Sequence, residues 1–402
     1  MRTLLPLLLC LSVTLPSVAC SDEEESAAPA GQNTAGSAGS AGSAGAGGGA
    51  GGGAGSSAAG AGGSGGNAPA KMPRIEELEA GKLNKISPGG DTICSRGTPF
   101  AFYVSPGTSN RVIVEFSGGG ACWNELTCGL ADSLFSDTVI EPTEKDIRGF
   151  YDHTNPKHPM KDWTHVFIPY CTGDIHWGDS VQTYGKGSKE VTINHKGAVN
   201  TQAVLDWVYD NFQAPEKAFV TGCSAGSYGS ILWSAHVREH YKGKGTKLYQ
   251  FGDSGAGVIT KDFFQQSFPA WNPQANFPSW LGVDFSSLDR LALLYNAIGS
   301  AYPQDRFAQF NYRFDETQVF FYTAMGGKDE ASWNAEMRAS LKEIREKNPN
   351  FRSFLPEGKD HCSLPFERFY TDKVGDKLLV DWLDDYVNDK DVEDLACEGC
   401  AP

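Results

Sequence analysis

Ala218-Phe219-Val220-Thr221-Gly222-Cys223-Ser224-Ala225-Gly226 decides the reading of this chain. As a bare pattern, GxSxG is weak. At this glycine and serine content about one such chain in five carries it by chance, and Gly62-Gly63-Ser64-Gly65-Gly66 matches it without meaning. Context separates the two. The apolar run Ala218-Phe219-Val220 enters the motif and a helix-like stretch leaves it, the strand, sharp turn and helix of a nucleophile elbow. Glycines flank the serine because the turn is strained and the helix and strand pass close.

Upstream, Arg111-Val112-Ile113-Val114-Glu115-Phe116 runs straight into Ser117-Gly118-Gly119-Gly120-Ala121-Cys122-Trp123. Side-chain-free residues let backbone N–H groups converge on one point. Beside a nucleophilic serine that point is an oxyanion, with donors from this loop and from Ala225. A phosphate cradle is the rival, but no GK[ST] follows Gly120.

Strands are expected at Val112–Phe116, Val166–Tyr170, Ala218–Thr221, Leu248–Phe251, Asn311–Phe314 and Phe351–Leu355. Helices are expected at Ala198–Phe212, Ala225–Tyr241, Ser332–Lys347 and Asp376–Val387. Strands alternating with helices favour an open, mostly parallel α/β sheet. The Trp/Pro/Asn-rich segment from Phe268 to Leu281 breaks the alternation and reads as an inserted loop or lid.

A serine nucleophile needs a base, and only His236, His240 and His361 follow Ser224. His236 lies 12 residues along the expected helix, about 18 Å from its start at 1.5 Å per residue. His361, in Lys359-Asp360-His361-Cys362, follows the last strand candidate. The acid belongs between serine and histidine, after a strand. Asp315, after Phe310-Asn311-Tyr312-Arg313-Phe314, is the better placed; Asp253, one strand earlier, is the alternative.

Val114–Trp123, Tyr170-Cys171-Thr172-Gly173-Asp174, Gly222–Gly226 and Asp253-Ser254-Gly255 together resemble the pectinacetylesterase/Notum family of serine esterases, in the family's order. The resemblance covers most of residues 85–370. It implies an α/β-hydrolase-like fold, a mostly parallel central sheet flanked by helices, and a Ser/Asp/His triad without metal or other cofactor. Carried over residue by residue, the nucleophile is Ser224 and the base His361. The acid, within Phe314-Asp315-Glu316-Thr317-Gln318, is Asp315, and the oxyanion donors are Gly119, Gly120 and Ala225. Cys94 and Cys171 match family cysteines and are expected to pair. Plant members carry Gly-Gly-Gly-Trp-Cys where this chain has Gly119-Gly120-Ala121-Cys122, a departure that touches the substrate pocket rather than the chemistry. Deacetylation of an O-acetylated carbohydrate, with pectin one candidate, is the leading expectation. Trp123, Trp177, Trp271 and Trp280 are aromatic surfaces for sugar rings or for an acyl pocket, and Trp123, Asp174 and Trp177 are the expected substrate contacts.

The N-terminus reads as an export signal over residues 1–19: Arg2, the apolar run from Leu4 to Pro16, then Ser17-Val18-Ala19-Cys20. The run is too short to span a bilayer. Ala19-Cys20 makes Cys20 a lipid-attachment candidate, and the chain an expected cell-envelope lipoprotein of bacterial type, with simple secretion the alternative. Seventeen of 47 glycines fall in residues 21–70, a Gly/Ala/Ser stretch without Val, Leu, Ile or aromatics. Such a segment buries too little apolar surface to fold. As a tether of residues 20–70 it would reach roughly 40 Å, holding one esterase domain, residues 71–402, clear of the membrane. Net charge is −15. Setting aside Arg2 and the four acids Asp22, Glu23, Glu24 and Glu25 leaves −12 for that domain, which argues against nucleic acid as a partner and against any membrane contact beyond a lipidated Cys20. A monomer is expected.

Eight cysteines remain beyond Cys20, an even number suited to disulfides in an oxidising compartment. Cys122–Cys128 reads as a local loop, and Cys397-Glu-Gly-Cys400 as a terminal bridge or a redox motif, the latter without a second CxxC or a βαβ context. His236-Val237-Arg238-Glu239-His240 offers a rival chemistry, two histidines at i and i+4 able to bind zinc in a peptidase. A catalytically silent glycan-binding lipoprotein is the non-enzymatic alternative.

Overall fold

The computed structural model describes residues 70–130, 134–283 and 285–400. The expected signal, Cys20 and nearly all of the tether lie outside them. The strands are β1 (Asn84–Ile86), β2 (Phe102–Ser105), β3 (Arg111–Phe116), β4 (Thr164–Ile168), β5 (Ser180–Tyr184), β6 (Val191–His195) and β7 (Lys217–Cys223). They continue as β8 (Lys247–Asp253), β9 (Arg306–Phe310), β10 (Phe351–Leu355), β11 (Lys373–Val374), β12 (Lys377–Leu378) and β13 (Leu395–Ala396). The α-helices are α1 (Glu125–Gly129), α2 (Gly197–Asn211), α3 (Ala225–His240), α4 (Lys261–Gln266), α5 (Ala292–Ala301), α6 (Glu316–Ala324), α7 (Glu330–Lys347) and α8 (Leu379–Val387).

Nine strands form one sheet in the order β1-β2-β4-β3-β7-β8-β9-β10-β13. It is parallel from β4 to β13, and β2 is antiparallel to both of its neighbours. Both faces are covered, which is why the central strands read as continuous apolar runs. Val112, Val114 and Phe116 of β3 face one core with Val204 of α2 and Ile231 of α3, while Ile113 faces the other with Phe219, Phe251 and Trp382 of α8. This mostly parallel sheet flanked by helices is the expected α/β-hydrolase-like fold. Among the described residues no helix is long and apolar enough to cross a membrane.

Three expectations need correction. Asn311–Phe314 is not a strand: β9 ends at Phe310, and the Asn311 and Arg313 amides then bond to the Phe354 and Pro356 carbonyls. Asp315 therefore lies in a turn beyond the sheet. Helix α8 begins at Leu379, because a short β11–β12 hairpin turns at Gly375 with φ 58°. The α7 start moves to Glu330 because Asp329 caps it, accepting from the Ser332 amide at 2.8 Å. As expected, the segment from Phe268 to Leu281 is an insertion: it carries 3₁₀ turns, Phe268–Trp271, Pro273–Asn276 and Ser279–Leu281, and packs Phe268 and Trp271 into the main core.

All eight described cysteines pair, as Cys94–Cys171, Cys122–Cys128, Cys223–Cys362 and Cys397–Cys400. A buried ion pair fastens α3 to the start of β9: Arg238 Nε and Nη2 donate to the Asp305 carboxylate at 2.6 and 2.7 Å. Asp305→Ala leaves that guanidinium buried without its counter-charge, and is expected to cost about 3–5 kcal/mol in urea unfolding. A change below about 1 kcal/mol would mean that water takes over the role.

Candidate active site

The sheet register sets the site. β3, β7, β8, β9 and β10 are consecutive neighbours, so the segments after them gather at one edge, outside the carboxyl ends of the strands. They carry the glycine loop, Ser224, Ser254, Asp315 and His361 in that order.

Ser224 sits between β7 and α3 with φ 55° and ψ −121°, a conformation that costs a non-glycine residue about 1–3 kcal/mol. Its amide donates to the Asp253 carbonyl at 2.8 Å. The flanking glycines are obligatory. A Cβ on Gly226 would lie 1.9 Å from the Phe116 carbonyl oxygen, and one on Gly222 would lie 2.5 Å from the same atom. The elbow is thereby pressed against the end of β3.

Gly120 and Ala225 line the cavity above Ser224, and Gly119 stands one residue back. Ala225 opens α3, so its N–H has no partner within the helix. Among the described residues no backbone acceptor takes the Gly119 or Gly120 amide, while the Gly119 carbonyl accepts from Ser136. Gly120 has φ 72°, and a Cβ there would strike the Leu134 carbonyl. Behind the loop, His176 Nε2–H donates to the Ser117 carbonyl at 2.9 Å.

His361 Nδ1 lies 2.8 and 3.0 Å from the two oxygens of Asp315, so Nδ1–H donates to that carboxylate. Asp315 is fully buried and caps α6, its oxygens also accepting from the Gln318 amide and Nε2, each at 2.9 Å. The other imidazole nitrogen, Nε2, is buried without a hydrogen-bond partner, and His361 and Ser224 line the same cavity. Burial opposes protonation of His361, but the charge and hydrogen bond of Asp315 outweigh it and Asp253 adds to them, so its pKa is raised above 6.5. Asp253 accepts from the Ser363 and Leu364 amides at 2.8 Å through Oδ2, while its Oδ1 is buried and unpartnered. Burial pushes its carboxyl up to about 7. A base must be unprotonated to act, so kcat/KM is expected to rise with pH along an acid limb centred above 6.5. A pH–rate profile with its acid limb well below that value would contradict this electrostatic picture.

Trp123 lines the cavity, edge-on to Phe263 at 4.9 Å between ring centroids. Asp174 and Trp177, the other expected substrate contacts, are fully buried and do not line it. Asp174 accepts from Thr172 Oγ1, the His176 amide and the Gly197 amide, holding a loop in which Ile175 and His176 have positive φ. Trp177 donates to the Tyr228 carbonyl. Both are supports beneath the site. Trp280 bonds Tyr302 outside it. The cavity residues that sequence reasoning missed include Tyr228, Val258, Ile259, Phe263, Phe321, Met325 and Trp333. Gln318, quoted in the motif that carries Asp315, was given no role there, although it lies three residues on, where a capping partner stands.

The zinc reading fails on geometry. His236 Nε2–H donates to the Asn276 carbonyl, Glu239 pairs with Lys242 and accepts from Tyr302, and His240 stacks on Tyr209 at 3.6 Å. Among the described residues, groups of three possible ligands occur only as Cys122, Cys128 and His195, and as Cys223, His361 and Cys362, each with its sulfurs joined in a disulfide.

A strand–elbow–helix serine beneath a glycine loop, with a carboxylate-bound histidine at the same sheet edge, defines an α/β-hydrolase-like protein. The profile of the pectinacetylesterase family matches residues 83–272, a span that holds the glycine loop, Ser224 and Asp253 and ends before Asp315 and His361. Over 173 residues the chain is 24% identical to the palmitoleoyl-protein carboxylesterase NOTUM of Schmidtea mediterranea, covering 40% of this chain and 32% of that protein. Over 166 residues it is 24% identical to pectin acetylesterase 5 of Arabidopsis thaliana, covering 40% and 38%. The chain thus spans about a third of the length of these curated relatives. The solved structure of the Wnt deacylase Notum from Drosophila aligns with a TM-score of 0.57 over 77% of this chain and 94% of that one, at 19% identity, a likeness of fold. The chain is homologous, at low identity, to the pectinacetylesterase/Notum superfamily.

Proposed function

We propose that the protein is a serine carboxylic-ester hydrolase that removes short acyl groups, acetyl foremost, from O-acylated carbohydrate. The observation that carries this reading is the unpartnered Nε2 of the Asp315-bound His361 at the cavity that Ser224 lines. In the proposed reaction His361 Nε2 takes the Ser224 Oγ proton as Oγ attacks the ester carbonyl. Asp315 holds the imidazole in the required tautomer and stabilises its positive charge. N–H groups of Gly119, Gly120 and Ala225 receive the oxyanion, each worth about 3–4 kcal/mol of transition-state stabilisation. The protonated histidine passes its proton to the leaving alcohol, and water then releases the acyl group from Ser224.

Cavity size argues for a short acyl group. About 60 Å³ is free, less than half of an engineered 150 Å³ cavity that accepts benzene. The walls favour a second reading, a lipid deacylase or general carboxylesterase, because Trp123, Val258, Ile259, Phe263, Phe268 and Phe321 are all apolar. Each methylene buried there would contribute about 0.8 kcal/mol, provided the α4 region moved aside. Export, and lipidation at Cys20, belong to the same proposal and rest on the residue pattern Ser17–Cys20.

The test is hydrolysis of p-nitrophenyl acetate, butyrate and octanoate by the purified protein, with acetate release from acetylated polysaccharides alongside. Turnover that falls with chain length and ignores EDTA is the expected result. A rise toward octanoate would transfer the assignment to lipid deacylation, and affinity for glycan without turnover by a folded protein would replace the enzyme with a binding protein.

A further inference from the structure

Cys223 immediately precedes Ser224 and Cys362 immediately follows His361, and the two cysteines are bonded to each other across 139 positions of sequence. The cross-link therefore joins the proposed nucleophile to the proposed base through one residue on either side. A ring nitrogen of His361 lies within 4.8 Å of both sulfurs.

A second observation concerns the backbone. Ser224, Ser254 and Cys362 have φ of 55°, 54° and 59°, a region that non-glycine residues enter only when their surroundings hold them there. The three are stitched together: the Ser224 amide donates to the Asp253 carbonyl, the Cys362 amide to Ser254 Oγ, and the Ser363 and Leu364 amides to the Asp253 carboxylate. His361 itself belongs to no helix or strand. Its position depends on Asp315 at one nitrogen and on this strained, cross-linked junction at its own backbone.

We propose that the Cys223–Cys362 disulfide is a positioning clasp for the Ser224–His361 pair, so that the esterase reaction runs at full rate only in the oxidised protein; this rests on the serine esterase reading above. An external dithiol supplies the two electrons and two protons that open the clasp. One of its thiolates attacks a sulfur of the bond to form a mixed disulfide, and its second thiol then closes the reductant's own disulfide, leaving Cys223 and Cys362 as thiols. The sulfurs must then move from bonding to van der Waals distance in a junction where Cys362 is fully buried. The strained backbone at Ser224 and Cys362 is free to relax, and the His361 ring shifts relative to Ser224 across the cavity that both line. The apolar walls, carried by α4, α6 and the loop after β3, stay in place. The clasp should therefore act on kcat and leave KM alone.

The decisive experiment compares the full-length protein, C223A/C362A and the control C397A/C400A, whose bridge lies at the far end of the chain. For C223A/C362A kcat is expected to fall on the order of 10- to 100-fold, the loss that a displacement of about 1 Å produces. KM should change by less than about twofold, unfolding should remain cooperative, and dithiothreitol should cause no further loss. The control should match the unaltered protein. In the unaltered protein the same loss should track alkylation of Cys223 and Cys362 under dithiothreitol, and reverse on reoxidation. If the double variant does not fold, this titration decides alone: activity that persists once both cysteines are alkylated, or that disappears only with the unfolding transition, overturns the clasp. A folded double variant with undiminished kcat also overturns it. Turnover surviving in S224A would instead overturn the esterase reading, whatever the cysteines do.

Discussion

Replacing Ser224 with alanine is expected to lower kcat by about 10⁴-fold or more while the protein keeps its fold and its unfolding midpoint. The size follows because, among the described residues lining the cavity, no second serine is free to do the same work. Ser254, the other serine at this sheet edge, accepts the Cys362 amide with its hydroxyl and is fully buried. Residual turnover would come from the oxyanion donors and binding alone. Stability should change little or rise, because alanine relinquishes no hydrogen bond from the Ser224 side chain, while the Ser224 amide bond to Asp253 remains available to the substituted residue. Measured kcat on p-nitrophenyl acetate, with a urea transition on the same sample, checks both halves of the expectation.

Asp315→Asn is expected to cost about 10³- to 10⁴-fold in kcat. The asparagine is nearly isosteric and can still accept from the Gln318 amide at the start of α6. The helix should survive. What changes is the imidazole. A carboxylate can only accept, so it fixes the proton on Nδ1 and leaves Nε2 free as a base; an amide can present its NH₂ group to Nδ1 and place the proton on Nε2 instead. Loss of the negative charge also removes the largest influence that raises the His361 pKa, so the acid limb of the pH–rate profile should move down. A kcat loss without that movement would assign Asp315 to holding α6 rather than to tuning His361. The corresponding change at Asp253 is expected to shift the limb less, since Asp253 makes no hydrogen bond to the ring and its carboxylate is anchored to Ser363 and Leu364.

The elbow was legible because it needs only local rules. An apolar strand, two glycines forced by close approach to β3, and a helix with small residues in its first turn leave a signature of nine consecutive residues. Val112–Phe116 was equally readable, since burial on both faces writes the strand directly into composition. Asn311–Phe314 misled for a physical reason. Its aromatic residues and Asn311 are shaped by the turn that carries the chain from β9 to the Asp315 cap, and alternation over four residues cannot tell that from a strand end. Asp174 shows the opposite failure. A carboxylate in a loop after a strand looks like a substrate contact in sequence, but three donors within the protein claim it. The cavity walls were the least legible part. Val258, Phe263, Phe321 and Trp333 come from four separate stretches, and only the fold brings them to Ser224. The pairing of Cys223 with Cys362 was hidden among 105 possible connectivities of eight cysteines, although each stood beside a proposed catalytic residue in the sequence.

The most direct test of the central claim is covalent labelling of the native protein with a fluorophosphonate, followed by mass spectrometry of the peptides. A single adduct on Ser224 is predicted, forming in step with loss of esterase activity, absent from the heat-unfolded protein and slowed in the Asp315→Asn variant. An adduct on another residue that tracks the loss of activity, or full inactivation with Ser224 unmodified, would contradict the account.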